Sequence, residues 1–331
     1  MALYLGQSDL DAMFARGLVT PRDCVDAVRR SWHEQGKAAV GVLPRHVLWA
    51  NDADQTPRSR ALKLSAAYMR GSSVMGASIY ATHFQPGSLD MWLTVFSGVS
   101  GKMIGVINSK TLSVWKTAAT AAVAADSLAR ADARHAALIG TGSYAMMQLV
   151  FLQAVRPLRS VRCYSRSADA LRLFCDAASS QLGLPVMPAA SVCEAVTDAD
   201  VVTTITTSPT PVLEGAWLPA GVHCNVMGQH APGAREVDTR AVVDSHVVVD
   251  AMAQAMNEKG ELLIPLAEGA IGREHIRAEL GAVVAGRERG RTDAAQKTMF
   301  CSGGTAFEYM GLCAMLLERA AQAGIGLTLP P

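Results

Sequence analysis

Ala137-Leu138-Ile139-Gly140-Thr141-Gly142-Ser143-Tyr144-Ala145 reads as an apolar strand that runs into a glycine turn and then into the helix-like stretch 146–155. The spacing G-x-G-x-x-A is that of a dinucleotide-binding turn. Gly140 makes the tight bend, Gly142 lets the backbone approach a pyrophosphate, and Ala145 permits close packing of helix on strand. Thr141, Ser143 and Tyr144 complete the turn, and the amides that open the helix would receive the phosphates. The other reading of these residues is an ordinary glycine turn of an α/β domain. Roughly 20 residues further on, where such a fold selects its cofactor, the second strand ends in Cys163-Tyr164-Ser165-Arg166-Ser167. An acidic residue there would hydrogen-bond the ribose of NAD. Arg166 with Ser165 suits a 2′-phosphate instead, with Ser167 beside them as a further cofactor-binding candidate, so the cofactor expected is NAD(P), with NADP favoured.

On both sides of this turn the apolar pattern organises the chain. Strand-like runs at 136–140, 161–165, 200–206, 222–228 and 246–250 alternate with helical segments, which predicts a parallel, doubly wound sheet. Upstream, Ser113 opens an Ala-rich stretch, 114–130, that predicts one long helix connecting two domains. Before it, short apolar runs at 47–49, 78–82, 91–96 and 103–106 are separated by Gly, Pro, Asn and Asp and predict a small, mostly antiparallel sheet. Residues 8–35 carry helical periodicity through Leu10, Met13, Phe14, Cys24, Val25, Val28 and Trp32, and 304–323 is helical again.

With 331 residues, Lys+Arg 30 against Asp+Glu 29, and 50% hydrophobic residues, the chain can bury a large core over about two domains. A net charge of +1 without a basic run gives no footprint for nucleic acid or an anionic membrane, so neither partner is expected. Asp9, Asp11 and Arg16 interrupt any signal-like apolar stretch near the start, and no run suits a membrane span, so a cytoplasmic protein is expected. Seven widely spaced cysteines without a CxxC pair imply reduced, mostly buried thiols and no structural zinc. Cys301 is assigned no nucleophilic role.

Ser113-Val114-Trp115-Lys116-Thr117-Ala118-Ala119 puts a cation and a hydroxyl in what reads as the first turn of the long helix, where a Lys opposes the helix dipole. A substrate carboxylate held by Lys116 and Thr117 would compensate, which makes Lys116 a candidate binding and catalytic residue. The alternative is a Lys paired with a nearby acid.

These residues, with Pro44-Arg45, Asn225-Val226-Met227-Gly228, Pro232-Gly233-Ala234-Arg235-Glu236 and Phe300-Cys301-Ser302-Gly303-Gly304, give a chain that resembles the ornithine cyclodeaminase/μ-crystallin superfamily over nearly its whole length. The resemblance implies an α/β protein with a Rossmann domain over 126–303. It also implies an α+β substrate and dimerisation domain built from 1–125 and 304–331, and hence a homodimer. Arg45 would bind a substrate carboxylate together with Lys116, while Thr204, Met227, Gly228 and Ser302 would line the cofactor.

Three positions depart from the family pattern. Its Arg is Lys116, its strand Lys is Ser78 in Met75-Gly76-Ala77-Ser78-Ile79-Tyr80, and its acid is His230. A carboxylate suits the steering of a side-chain amine and a histidine does not, which argues against ornithine as substrate. His230 instead suits a general acid/base in a redox cycle on a small α-imino or α-amino acid. His83, in Tyr80-Ala81-Thr82-His83-Phe84, is either a second polar contact to substrate or a satisfied strand histidine. The reading is thus an NAD(P)-dependent imine reductase or amino-acid dehydrogenase. The alternatives are a cyclodeaminase-type ammonia-lyase and a cofactor-loaded binding protein.

Overall fold

A computed structural model describes residues 2–51, 59–82 and 89–330. The chain opens with β1 (Leu3–Leu5), α1 (Gln7–Ala15), α2 (Pro21–Gly36), β2 (Val40–Trp49), β3 (Ala61–Met69), β4 (Val74–Thr82), β5 (Leu89–Ser97), β6 (Met103–Asn108) and α3 (Lys110–Leu128). Strands and helices then alternate as β7 (His135–Ile139), α4 (Ala145–Gln153), β8 (Ser160–Tyr164), α5 (Ala168–Leu182), β9 (Val186–Pro188), α6 (Val192–Val196), β10 (Val201–Thr204), β11 (His223–Val226), α7 (Thr239–Val243), β12 (Ser245–Val249), α8 (Met252–Glu258), α9 (Gly260–Ala267), β13 (Ile276–Glu279), α10 (Leu280–Val284) and β14 (Lys297–Cys301). The last elements are α11 (Ala306–Ala323) and β15 (Leu327–Thr328). Two compact units result, one of residues 1–116 with 304–331 and one of 117–303, so the chain divides inside α3, ahead of the expected 125/126.

In the first unit seven strands take the order β15-β1-β6-β5-β4-β3-β2, antiparallel except for the β1–β6 pair. The pleat alternates side chains across this sheet. One face sends Met69, Val74, Leu93 and Val95 into a core with α11, which also packs on α2, where Trp32 meets Phe307 edge to face at 4.8 Å. Pro44 has no N–H to give a ladder, and the β2–β3 register shifts between Leu43 and His46, a bulge that re-aims Arg45.

The long helix starts earlier than its alanines suggest. Gln7 accepts from the Thr111 amide at 3.3 Å through its side-chain oxygen, and the helix runs from Lys110. Lys116 therefore lies in the second turn, and the expected placement among unsatisfied first-turn amides is corrected.

The second unit holds an all-parallel sheet in the order β13-β12-β14-β11-β10-β7-β8-β9, with chain direction reversing its lateral progress at the β7–β10 pair. Its central strands are buried on both faces, with β10 and β11 fully so, which is why they read as continuous apolar runs. Strands β9, β13 and β14, absent from the sequence-based expectation, complete it.

Candidate active site

In the second unit, β7 delivers the chain to Gly140 at φ +103°, a conformation suited to glycine, and a Cβ there would lie 2.8 Å from the Ile205 carbonyl oxygen. Gly142 and Ser143 are exposed, and a Cβ placed on Gly142 meets nothing within 4 Å. Helix α4 follows with Tyr144 at its N-cap position and no side-chain cap, and Ala145 is fully buried beneath it. Open space in front of first-turn amides that lack a side-chain acceptor fits a pyrophosphate. The residues present therefore fit a dinucleotide.

Thr141 and Tyr144 are half-buried at the turn's rim. At the end of β8, Ser165 is half-buried and Arg166 exposed, while Ser167 accepts from the Ala170 amide as the N-cap of α5. Ser167 is thus a helix cap whose hydroxyl hydrogen stays available to donate.

A buried polar network holds the loops beyond β10, β11 and β14. Glu236, 0% exposed, accepts from the Thr204 hydroxyl at 3.0 Å, the Thr206 amide at 2.6 Å and the Gly228 amide at 2.6 Å. Burial, then the nearby Glu261 charge, push its carboxyl above the usual range. Lys259, also fully buried, donates to the Gln229 carbonyl at 2.5 Å and the Ser302 carbonyl at 3.2 Å, and pairs with Glu261 at 3.3 Å. Burial opposes its charge, but Glu261 and the other carboxylates outweigh burial and push the ammonium up. Asp250 accepts from the Ser302 hydroxyl at 3.3 Å and the Gly303 amide at 2.6 Å.

The hydroxyls of Thr204 and Ser302 are hydrogen-bonded inside the protein, which leaves their backbone to line a cofactor; Met227 is 3% exposed and Gly228 is held through its amide. His230, two residues past Gly228, is exposed.

In the first unit Lys116 is buried and ion-paired to Glu308 at 3.1 Å, with its ammonium 4.9 Å from the Tyr309 ring centroid. Arg45, half-buried, donates to the Gly304 carbonyl at 2.9 Å. Gly304 has φ +78°, a conformation suited to glycine, and a Cβ on it would crowd the Lys116 Nζ at 2.7 Å while lying 3.7 Å from the Arg45 Nη2. Glu308 also accepts from the Thr305 amide at 2.8 Å, at the start of α11. Burial opposes the Lys116 charge, but Glu308 and then Tyr309 outweigh it; the net push is upward despite Arg45.

The Lys116 ammonium and the Arg45 guanidinium thus converge beside Gly304, two cationic donors of the kind that hold a carboxylate. Thr117 is half-buried one residue on. Ser78, on the buried face of β4, shares a hydrogen bond with Ser65 at 2.8 Å, so its hydroxyl is paired within the sheet and corrected from a substrate ligand. His83 lies outside the described residues. Glu308, Glu236, Lys259, Glu261 and Asp250 carried no role in the sequence reading; Thr305-Ala306-Phe307-Glu308, a T-x-x-E helix start, is the signal that marks the first of them.

The sequence model of the Ornithine cyclodeaminase/mu-crystallin family matches residues 59–324. A Δ1-pyrroline-2-carboxylate reductase from Bacillus cereus is 31% identical over 228 residues, 69% of this chain and 70% of the relative. An alanine dehydrogenase from Archaeoglobus fulgidus is 29% identical over 228 residues, 69% of each chain. The solved structure of the Thermococcus litoralis Δ1-pyrroline-2-carboxylate reductase, in complex with NADH and L-proline, is similar with a TM-score of 0.91 and 26% identity over 99% of this chain and 100% of that one.

Proposed function

The chain belongs to the ornithine cyclodeaminase/mu-crystallin family, and from that premise we propose that it reduces a small cyclic α-imino acid, with Δ1-pyrroline-2-carboxylate as the substrate. It is an NAD(P)-dependent oxidoreductase of the imino-acid reductase type. The observation that carries the substrate reading is the convergence of Lys116 and Arg45 beside Gly304, two cationic donors suited to one carboxylate.

When bound, the reduced nicotinamide supplies a hydride to the imine carbon. Lys116 and Arg45 anchor the substrate carboxylate and so orient the C=N bond. Because its environment holds Lys116 protonated, Lys116 anchors and does not donate. The His230 imidazole gives the proton to the imine nitrogen. Glu236 and Lys259 fix the backbone at Gly228, Gln229 and Ser302, the segments the family pattern assigns to the nicotinamide.

Arg166, exposed at the end of β8, supports a preference for NADP. Apolar side chains on the face of the first sheet away from α11, including Leu48 at 59%, Ile79 at 44% and Trp92 at 43% exposure, support burial against a second copy and a homodimer. No helix among the described residues is long and apolar enough to cross a membrane. Seven free cysteines, of which only Cys193 is exposed, suit the reducing cytoplasm.

The experiment is an absorbance assay of NADPH and NADH with purified protein and Δ1-pyrroline-2-carboxylate, with linear imino acids as comparison. Oxidation that depends on Lys116 and favours the cyclic acid is expected. Cofactor binding without oxidation of any imino acid would overturn the reading, and ammonia release from ornithine without net oxidation would replace it with the lyase.

A further inference from the structure

Buried polar side-chain atoms are nearly always hydrogen-bonded, so one without a partner inside a candidate site marks where a ligand supplies it. In the first unit that atom is the Oγ1 of Thr305, a residue 4% exposed whose hydroxyl has no hydrogen-bond partner among the described residues. Thr305 stands at the N-cap position of α11, where a threonine hydroxyl ordinarily accepts from an amide of the first turn. Here no side-chain cap bond forms, although the Glu308 carboxylate does take the Thr305 amide at 2.8 Å. A first-turn amide that leaned on the hydroxyl oxygen would still leave the hydroxyl hydrogen without an acceptor, because a hydroxyl donates as well as accepts. The orphaned capacity is that of a donor.

Its neighbours are the two cationic donors already described. The Thr305 amide and the Lys116 ammonium share the Oε2 of Glu308, at 2.8 Å and 3.1 Å, and Arg45 donates at 2.9 Å to the Gly304 carbonyl, the peptide group that leads into Thr305. A carboxylate offers two oxygens with about four lone-pair sites, more than one ammonium and one guanidinium nitrogen fill. A hydroxyl next to them adds a donor that needs no charge, and its bond to an ionised acceptor is one of the strong ones. We propose, on the strength of the imino-acid reductase reading, that Thr305 is a further substrate-binding residue whose hydroxyl donates to the substrate carboxylate beside Lys116 and Arg45. It thereby contributes to selecting acids over cyclic amines and imines that lack the carboxylate.

Thr305→Val removes the hydroxyl and keeps the shape, and Thr305→Ser returns the hydroxyl. The test titrates NADH-loaded protein with L-proline, the product acid, and with pyrrolidine, which lacks the carboxylate, alongside kcat and KM for Δ1-pyrroline-2-carboxylate. Thr305→Val should bind L-proline about tenfold or more weakly than wild type, in line with the loss of a hydrogen bond to a charged group, while pyrrolidine binding stays as it was. KM should rise by a similar factor with kcat near wild type, and Thr305→Ser should restore both KM and L-proline affinity. The urea midpoint of Thr305→Val should equal or exceed that of wild type, because removing an unpaired buried hydroxyl strands no partner; a hydroxyl that served as a helix cap would lower it. Unchanged L-proline affinity and KM in Thr305→Val, equal losses for L-proline and pyrrolidine, or a lowered urea midpoint would each overturn the proposal. Wild type that neither binds L-proline nor reduces an imino acid would remove the reductase reading and this role with it. Wild type that does both, matched by Thr305→Val, would remove the role of Thr305 alone.

Discussion

Replacing Lys116 separates two jobs that one ammonium group performs. In Lys116→Met the Glu308 carboxylate, 0% exposed and paired at 3.1 Å in the wild type, loses the Lys116 ammonium. At that separation and an effective dielectric near 20 the Coulomb interaction is about 5 kcal/mol, and breaking a buried pair from one side costs about 3–5 kcal/mol. Urea unfolding should therefore show Lys116→Met destabilised by about 3–5 kcal/mol. Adding Glu308→Gln removes the stranded charge while an amide oxygen still accepts from the Thr305 amide. The double variant should recover most of the stability, since an uncharged replacement of a buried pair is often neutral. It should not recover substrate binding. A lost charge-assisted bond to the substrate carboxylate, worth about 1.5–3 kcal/mol, raises KM for the imino acid roughly tenfold to a hundredfold. Because that contact is present in ground and transition states alike, kcat should change little. Steady-state kinetics on the folded double variant decide the matter. A KM restored to wild type would show that Lys116 serves only to neutralise Glu308, and the carboxylate anchor would have to be sought elsewhere.

Three further outcomes are expected. His230→Ala should lower kcat by about 10²–10⁴ and flatten the pH dependence of kcat, read from initial rates; an unchanged profile would remove His230 from proton transfer. Arg166→Ala should weaken NADPH about tenfold or more and leave NADH unaffected in fluorescence titrations, and equal losses for both would refute selection at the 2′-phosphate. His223, fully buried between Thr298 and Asn225, has its imidazole pushed down to about 3 by burial. Its neutral form is thus favoured by folding: this stability is fully present above the unfolded value of about 6.5 and is lost as pH falls from there towards the folded value, by about 2 kcal/mol between pH 7 and pH 5. Urea midpoints measured across that window, compared with those of His223→Asn, check it; parallel profiles would contradict the assignment.

The dinucleotide turn was legible because its physics is local. A strand, a positive-φ glycine, an open glycine and a small first helical residue all fall within Ala137–Ala145, and no distant partner is needed to interpret them. The strand β14 was not legible as a strand. Lys297–Cys301 is five residues long, and a short run buried on both faces has no period of its own. Lys116 was singled out for a reason that the structure replaces. Gln7, a hundred residues earlier in the chain, accepts from the Thr111 amide and moves the helix start, so no charge–dipole conflict exists. What makes Lys116 unusual is burial beside Arg45 with Glu308 as counter-ion, and that depends on contacts across 192 residues. Glu236, Lys259 and Glu261 were missed on the same ground. A sequence displays ionisable side chains without showing which are taken out of water, and it is burial that makes a charge demand a partner.

That demand also bears on the two other departures from the family pattern. Ser78 in place of a lysine removes one positive charge, and His230 in place of an acid removes one negative charge, so the pair of changes leaves the net charge of the substrate chemistry where it was. What changes is the kind of group available. The lost carboxylate is the partner a second, side-chain amine would need, and the gained imidazole handles protons near neutrality. The lysine's replacement, Ser78, turns inward to Ser65. A substrate that matches this inventory carries one carboxylate, which the cationic donors Arg45 and Lys116 suit, and a nitrogen to be protonated, but no distal amine. A cyclic imino acid has that composition and ornithine does not, which is why the charge balance favours reduction over cyclodeamination.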